Sequence, residues 1–307
     1  MDPETAKSFG DELQGTFDGI GAEIGIRDKQ LVVIAPLPGT PAEKAGLRAG
    51  DKILGINKFD TAGMAVDYAV TLIRGPRGTK VTLTVLSGGE SESRQVEITR
   101  NRIVVKPARG ELKDLPTGGK AAYIRLTQFS KDINQEFQTV WQDLAASGPK
   151  GIVIDLRNNP GGYLDQAVDV ASHWVGGSKV VVKEQLVPPE FNEYQSTGKA
   201  ELANIPTVVL VNQGSASASE ILTGALQDWH LATVVGEQTF GKGSVQSVED
   251  FSDGSAVKLT IAKWFTPKGR SIDKNGLKPD IEVKMTRDDT DKGRDPQLDR
   301  ALELLSR

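Results

Sequence analysis

The sequence predicts an α/β protein, with an α+β arrangement of its parts, in which a mostly parallel sheet forms the larger domain. Strand and helix patterns alternate after residue 119, which is typical of a parallel sheet covered by helices. Before residue 103 the chain instead shows short β-rich runs separated by glycine turns, which predict a compact sheet-rich module. The 307 residues are enough for two domains of ordinary size.

The first part of the chain consists of a short N-terminal stretch, the sheet-rich module and a connection to the second domain. Residues 1–14 form an N-terminal remnant without a clear pattern, and residues 15–103 form the sheet-rich module. Its strand patterns are GIGAEIG, QLVVIAPL, DKILGIN, KVTLTVL and RQVEITR, and its helical pattern is AVDYAVTLIR. Residues 104–118, which include KPARGELKDLPTG, are rich in Lys, Pro and Gly and predict a connection.

Residues 119–307 form the second domain. Its strand and helix patterns pair as AAYIRL with INQEFQTVWQDLAAS, GIVIDL with YLDQAVDVASHWV, and TVVLV with SEILTGALQDWH. Two β-rich runs, SAVKLTIAKWFT and DIEVKM, and the amphipathic pattern RDPQLDRALELLSR complete it. The glycine-rich stretches DLRNNPGG (155–162) and QTFGKGSVQ (238–246) follow strands, and parallel sheets build their binding sites at these strand ends.

The composition excludes several classes of function. A formal net charge of -4 gives no electrostatic reason to expect a nucleic-acid partner. The chain has no cysteine, which excludes thiol catalysis, disulfides and cysteine-ligated zinc, and its two histidines, His173 and His230, argue against a histidine-rich metal site. No apolar run approaches the roughly 18 residues that span a bilayer, and the polar start lacks the pattern of a signal peptide.

The stretch VNQGSASASEILTGALQD (211–228) places serines directly before a helical pattern. Ser217 and Glu220 have the spacing of a capping box, so one interpretation is that Ser217 only caps the helix. The other is that Ser217 is a nucleophile, which needs a base. His230 follows the far end of the same helix, roughly 20 Å away, and His173 is interpreted as a structural histidine within another helical pattern.

Lys242, between two glycines in FGKGSVQ, is the remaining candidate base. To act at neutral pH its pKa must fall from about 10.4 toward 7, which requires burial or a neighbouring positive group. The alternative interpretation is a solvated lysine in a tight glycine turn. On the residues alone both interpretations stay open.

Together these motifs resemble the carboxyl-terminal processing peptidases, also called tail-specific proteases. The resemblance rests on DLRNNPGG, VNQGSASASEILTGALQD and ATVVGEQTFGKGSVQ in this order, and it covers almost the whole chain, from GIGAEIG to DPQLDRALELL. It implies a serine protease core of the crotonase-like ββα type with a mostly parallel sheet, preceded by a PDZ domain. It also implies that neither a metal nor a cofactor is needed.

The resemblance implies a role for each motif residue. The catalytic residues are the nucleophile, the base and a glutamine that orients the amine, namely Ser217, Lys242 and Gln246. The oxyanion is expected to bind backbone amides at Ala218 and at Gly161 or Gly162. Three polar residues at motif positions are interpreted as supports that fix the loops, namely Asp155, Arg157 and Glu220.

The first domain, with GIGAEIG and QLVVIAPLPGTPAEKAGLRAGDKILGIN, resembles a PDZ domain. Such a domain adds a peptide as a strand to a sheet edge and binds its terminal carboxylate through a glycine loop. The loop here would be formed by Gly19, Ile20, Gly21 and Ala22. The alternative for the glycines alone is an ordinary hairpin.

The leading hypothesis is a serine endopeptidase that cleaves unfolded or partly folded proteins recognised through their C-terminal residues. One alternative is a catalytically idle peptide-binding adaptor or chaperone, and another is an acyl-processing enzyme on a related core. The resemblance implies protein or peptide substrates with a free C-terminus and an extracytoplasmic location, in the periplasm or its equivalent. Family members usually carry a signal or membrane segment and a helical region before the PDZ domain, so the sequence is expected to be a truncated form in which an oligomer is possible.

Overall fold

The computed structural model describes residues 16–27, 29–104, 106–186, 190–252, 255–286, 288–289 and 292–306. The chain divides into two compact units. The first comprises Met1–Lys106 with Ser247–Leu259, and the second comprises Pro107–Gln246 with Thr260–Arg307. In the described part of the chain, no helix is both long and apolar enough to cross a bilayer.

The first unit is a small sheet with two helices packed on it. Its elements are β1 (Thr16–Gly19), β2 (Ala22–Arg27), β3 (Gln30–Pro36), α1 (Pro41–Lys44), β4 (Lys52–Ile56), β5 (Phe59–Asp60), α2 (Val66–Ile73), β6 (Lys80–Leu86), β7 (Arg94–Thr99) and β8 (Asn101–Val104). The main sheet has the order β2-β3-β4-β6-β7 and its strand pairs are antiparallel, while β1 pairs with β8. Strand β2 therefore lies at an edge of the main sheet.

The core of the first unit follows from alternation in its strands. In β6 every second residue is buried, and Val81, Leu83 and Val85 all face the core. Helix α2 contributes Ala69 and Ile73 to the same core. Arg100 fixes the end of this helix, because its guanidinium donates to the carbonyls of Leu72 and Ile73 at 3.0 and 2.7 Å.

The second unit is built on a six-stranded sheet. Its elements are β9 (Ala108–Asp114), β10 (Lys120–Leu126), α3 (Ile133–Ala145), β11 (Ile152–Asp155), α4 (Leu164–Ala171), β12 (Val180–Gln185), β13 (Phe191–Gln195), β14 (Thr207–Val211), α5 (Ala218–Asp228), β15 (Thr233–Gly236), β18 (Ile281–Glu282) and α6 (Pro296–Leu305). The strand order is β18-β15-β14-β11-β10-β9, and the strand pairs from β18 to β10 are parallel. The predicted fold class, with a mostly parallel sheet in the larger domain, is confirmed.

Both faces of this sheet are covered. Ile152 and Ile154 of β11 pack in the core that contains residues of α3, α4 and α5, whereas Val153 packs with Ala301 and Leu305 of α6 on the other face. Strands buried on both faces read as continuous apolar runs, which is the pattern of IVID and TVVLV. Each fully buried Val or Ile side chain contributes about 1.5–3 kcal/mol through burial.

The predicted connection at 104–118 contains a strand that the sequence did not indicate. Strand β9 pairs antiparallel with β10, from Ala108 opposite Leu126 to Asp114 opposite Lys120. Within this edge strand only Ala108 is buried, so the apolar alternation that marks a strand is missing. Polar and charged residues suit an exposed sheet edge.

A second sheet of four strands has the order β13-β12-β17-β16, where β16 is Ser244–Asp250 and β17 is Ala256–Phe265. Strands β12 and β13 were also absent from the sequence prediction. Strand β16 starts directly after the glycine-rich stretch QTFGKG, so the position of that stretch depends on this sheet.

Candidate active site

Three loops meet at one edge of the parallel sheet. Strands β11, β14 and β15 lie side by side and end at Asp155, Val211 and Gly236. They are followed by DLRNNPGG, VNQGSASAS and EQTFGKG, respectively. The three stretches singled out in the sequence therefore lie at the carboxyl ends of neighbouring parallel strands, where sheets of this kind bind ligands.

Ser217 lies at the start of α5 in a strained backbone conformation. Its φ and ψ are 53° and -117°, in a region that residues with a side chain rarely adopt. Its backbone N–H donates to Glu220 Oε2 at 2.9 Å, which is the carboxylate half of the predicted capping box. Backbone strain at a half-buried serine is typical of a functional position.

The flanking serines serve the framework of the site. The hydroxyl of Ser215 donates to the carbonyl of Leu156 at 2.8 Å, and that of Ser219 donates to the carbonyl of Asn159 at 2.9 Å. Both serines are fully buried. They tie VNQGSASAS, called the serine loop below, to DLRNNPGG.

Glu220 joins Ser217 to the stretch EQTFGKG (237–243), called the lysine loop below. Its side chain is completely buried, and its Oε1 accepts hydrogen bonds from the Thr239 hydroxyl at 2.5 Å and the Gly241 N–H at 2.8 Å. Its Oε2 accepts the N–H groups of Ser217 and Lys242, each at 2.9 Å. Burial raises the pKa of Glu220 to about 7, although these four hydrogen bonds oppose the shift.

The glycines around Lys242 allow the lysine loop to lie against another segment. A Cβ on Gly243 would lie 2.1 Å from the backbone nitrogen of Asp273, and one on Gly241 would lie 2.8 Å from that of Gly276. Only glycine fits such contacts. Lys242 itself is half-buried, and Gln246 lies in β16 with its side chain outside the described part of the structure.

The two glycines of PGG differ in the use of their amides. The Gly161 N–H donates to Asn159 Oδ1 at 2.9 Å, and a Cβ on Gly161 would lie 2.7 Å from Ser217 Cβ and 2.9 Å from the nitrogen of Ala218. Gly162 forms a parallel bridge with Phe129, in which the Phe129 N–H donates to the Gly161 carbonyl and the Tyr163 N–H donates to the Phe129 carbonyl. Neither of these two hydrogen bonds uses the N–H group of Gly162.

Asp155 and Arg157 form a buried ion pair at the base of DLRNNPGG. Burial alone would raise the pKa of Asp155, but the charge and hydrogen bonds of Arg157 lower it to about 2. The Tyr123 hydroxyl donates to Asp155 Oδ2 at 2.5 Å, and burial together with this carboxylate raises the pKa of Tyr123. The pair remains charged through the physiological pH range.

Both histidines lie at the carboxyl-terminal ends of helices that begin at the site. His173 follows α4 and is buried, with hydrogen bonds to Glu201 and to Asn134 Oδ1. His230 follows α5, and its Nε2 lies 3.2 Å from Lys268 Nζ. Neither interacts with Ser217 among the described contacts, and the described residues contain no cluster of three or more His, Asp or Glu side chains arranged to hold a metal ion.

The peptide-binding loop predicted in the first unit lies beside the edge strand β2. The carbonyl of Ile20 accepts the Ala42 N–H at 2.8 Å, and that of Gly21 accepts the Thr40 hydroxyl at 2.9 Å. Gly21 has a φ of +77°, and a Cβ there would lie 2.4 Å from the Thr40 side chain. Helix α2 packs near β2, and Ile20 of this loop lies in the same hydrophobic core as Ala69 and Ile73 of α2.

Several residues of the site were missed by the sequence reasoning. Thr239 directly precedes FGKG and bonds Glu220, and Asn159 lies within DLRNNPGG and bonds both Gly161 and the Leu126 carbonyl. Their positions inside the motifs were the signal that could have identified them. Asp295 lies in the predicted amphipathic pattern RDPQLDRALELLSR, but its contact with Arg157 has no signal in the sequence.

Comparison with known proteins gives consistent matches. The family model described as peptidase family S41 matches residues 120–283, and that of the PDZ domain matches residues 3–86. A carboxyl-terminal-processing protease of Synechocystis sp. is 43% identical over 88% of this chain and 63% of its own length. The carboxy-terminal processing protease CtpA of Bacillus subtilis is 38% identical over 93% of this chain and 60% of its own length.

A solved structure has the same fold. The photosystem II D1 C-terminal processing protease superposes with a TM-score of 0.84 at 33% sequence identity, over 92% of this chain and 77% of that protein. The chain thus spans less than two thirds of the length of the two curated relatives above, and more than three quarters of this solved structure.

Proposed function

Because the chain belongs to peptidase family S41 and carries a PDZ domain, we propose that it is a serine endopeptidase that uses a Ser217–Lys242 dyad. The single observation that carries this proposal is the shared carboxylate of Glu220. Its Oε2 accepts the backbone N–H groups of both residues, each at 2.9 Å. The two backbone nitrogens are therefore within about 6 Å of each other, which is close enough for the side chains to meet.

The proposed reaction is acyl transfer through Ser217. The uncharged amine of Lys242 takes the hydroxyl proton while Oγ attacks the scissile carbonyl carbon, and Gln246 orients the amine. The C–N bond then breaks, the leaving amine takes the proton from Lys242, and an ester remains on Ser217. Water, deprotonated by the same amine, attacks the ester carbon, the bond to Ser217 Oγ breaks, and Oγ takes the proton back from Lys242 as the new C-terminal carboxyl group is released.

We assign the oxyanion amides to Ala218 and Gly162. Gly161 already donates its N–H to Asn159 Oδ1, whereas the bridge with Phe129 does not use the N–H of Gly162. The position of Gly161 against Ser217 and Ala218 supports this assignment, because it brings the PGG turn next to the nucleophile. Loss of one such donor typically costs about 2.7–4 kcal/mol of barrier.

The proposed substrates are unfolded or partly folded proteins chosen by their C-terminal residues. This is supported by the edge position of β2 and by the loop of Gly19, Ile20, Gly21 and Ala22, since PDZ domains bind a terminal carboxylate at such a loop. The family resemblance supports an extracytoplasmic location for the whole protein, which cell fractionation would test. Two substrates that differ only in a free or amidated C-terminus would test the recognition.

The dyad is tested by Ser217→Ala and Lys242→Ala, with cleavage of denatured casein and labelling by a fluorophosphonate as readouts. We expect both variants to lose cleavage and Ser217→Ala to lose labelling, while circular dichroism shows an intact fold. Lys278→Ala, at an exposed lysine of the same unit, should cleave as the wild type does. Full turnover by either site variant rejects the dyad, and peptide binding by the wild type without cleavage or labelling favours the idle adaptor.

A further inference from the structure

The start of the C-terminal helix α6 is bound to the loop that carries the PGG turn. Asp295 caps this helix, since its Oδ1 accepts the Leu298 N–H at 2.9 Å. The same carboxylate accepts two hydrogen bonds from Arg157, from Nη1 to Oδ1 and from Nη2 to Oδ2, each at 2.8 Å. A residue near the end of the chain therefore forms a bidentate pair with a residue of DLRNNPGG.

Arg157 uses all five of its N–H groups in this arrangement. Besides the two bonds to Asp295, it donates Nε and Nη2 to the two oxygens of Asp155, at 3.0 and 2.7 Å, and Nη1 to Gln297 Oε1 at 3.1 Å. Its side chain is 11% exposed and that of Asp295 is 31% exposed. The guanidinium is thus fixed between the strand end at Asp155 and the first turn of α6.

The loop beyond Arg157 leads directly to the nucleophile. The N–H of Asn158 donates to Asn212 Oδ1 at 2.9 Å, and the carbonyl of Asn159 accepts the Ala216 N–H at 3.0 Å and the Ser219 hydroxyl. Gly161 then packs against Ser217. The loop DLRNNPGG is thus held on one side by VNQGSASAS. On the other side it is held by the contact of Arg157 with the start of α6.

We propose that Asp295 is a positioning residue that acts through Arg157 to hold the PGG turn in the geometry that binds the oxyanion. This rests on the proposed function of Ser217 as a nucleophile. Without the Asp295 carboxylate, Arg157 keeps its pair with Asp155 but loses two of its five acceptor contacts. The segment from Arg157 to Gly162 then loses its support on one side, and the amide of Gly162 is no longer fixed relative to Ser217.

The variant Asp295→Ser tests this role, because serine still caps the helix but cannot form the bidentate pair with Arg157. We expect kcat for a small ester to fall about tenfold to a hundredfold, with KM unchanged and with fluorophosphonate labelling of Ser217 slowed by a similar factor. Asp299→Ser removes a carboxylate from the exposed side of the same helix and should leave all three values at wild-type level. Melting temperatures of the two variants should be similar.

A double variant decides whether Asp295 acts through Arg157. Arg157→Lys keeps the charge but loses the planar fork, and adding Asp295→Ser to it should lower kcat no further, since both changes break the same contact. Unchanged kcat in Asp295→Ser, a loss explained by its unfolded fraction, or additive losses in the double variant would each overturn the proposal. A wild-type protein that is not labelled, or a labelled Ser217→Ala, would instead reject the function on which the proposal rests.

Discussion

Ser217 and Lys242 donate their backbone N–H groups to one and the same atom, the Oε2 of Glu220. The two residues are 25 positions apart in the sequence and follow different strands, so this oxygen is the point at which their loops are joined. The other oxygen of Glu220 fixes the lysine loop once more, through Thr239 and Gly241. We therefore expect this buried carboxylate to set the separation of the proposed nucleophile and base.

Glu220→Gln should lower kcat/KM by about tenfold or more and lower the free energy of unfolding by about 1–3 kcal/mol. In either orientation the new NH2 group would face a backbone donor, that of Gly241 or those of Ser217 and Lys242. Casein cleavage and urea unfolding measure the two effects. Glu136→Gln, at an exposed carboxylate in the first turn of α3, is the control and should change neither. Wild-type activity in Glu220→Gln would show that the carboxylate does not set the geometry.

The burial of Glu220 predicts a dependence of stability on pH. Its pKa is about 7 in the folded protein and near 4.5 when unfolded, so the folded state binds the proton more strongly. The resulting stability, about 3 kcal/mol, is fully present below pH 4.5 and is lost as the pH rises through 7. Urea unfolding of wild type and Glu220→Gln at pH 5, 6, 7 and 8 should show the wild type losing stability relative to the variant. A difference that is constant across this range contradicts the prediction.

Gly243→Ala should destabilise the protein by about 1–3 kcal/mol and reduce its activity. The new Cβ would lie 2.1 Å from the backbone nitrogen of Asp273, so the lysine loop must move away from that segment. Gly88→Ala is a matched control, because its φ is also outside the positive region and no atom lies within 4 Å of the added Cβ. Thermal unfolding and ester hydrolysis of the two variants, measured side by side, separate the close contact from the general effect of replacing glycine.

Gly21→Ala should weaken binding of peptides with a free C-terminus and leave hydrolysis of a small ester unchanged. Its Cβ would meet the Thr40 side chain at 2.4 Å and displace the proposed carboxylate-binding loop. Gly39 has the same φ of +77° with no atom near the added Cβ, so Gly39→Ala carries the same backbone strain without the collision. Fluorescence anisotropy with a labelled peptide compares them. Equal loss of affinity in both variants would assign the effect to backbone strain alone.

The sequence alone predicted those strands and helices whose own residues show a recognisable pattern. IVID and TVVLV read as buried strands because both of their faces are apolar, and SEILTGALQD read as a helix because Ser217 and Glu220 have capping spacing. Strand β9 was missed because it is a polar edge strand. Its pairing with β10 comes from tertiary context rather than from alternation.

The candidate site was predictable as a set of residues but not as an arrangement. The capping box accounts for one bond of Glu220, whereas its three bonds to the lysine loop depend on the neighbouring strands β14 and β15. The different roles of Gly161 and Gly162 follow from the bridge between Gly162 and Phe129, a residue more than thirty positions away. Contacts between residues so far apart in the sequence cannot be predicted from the spacing of neighbouring residues.

The order of the strands along the chain also decides when the parts of the proposed active site become available. The loops after β11, β14 and β15 leave a ribosome one after another, and the serine emerges before the lysine. A partly synthesised chain thus holds Ser217 before its proposed base, and the contact of the lysine loop with Glu220 requires β15 to lie beside β14 in the sheet. For the proposed dyad, hydrolytic activity therefore requires that strands β11, β14 and β15 have all joined the sheet.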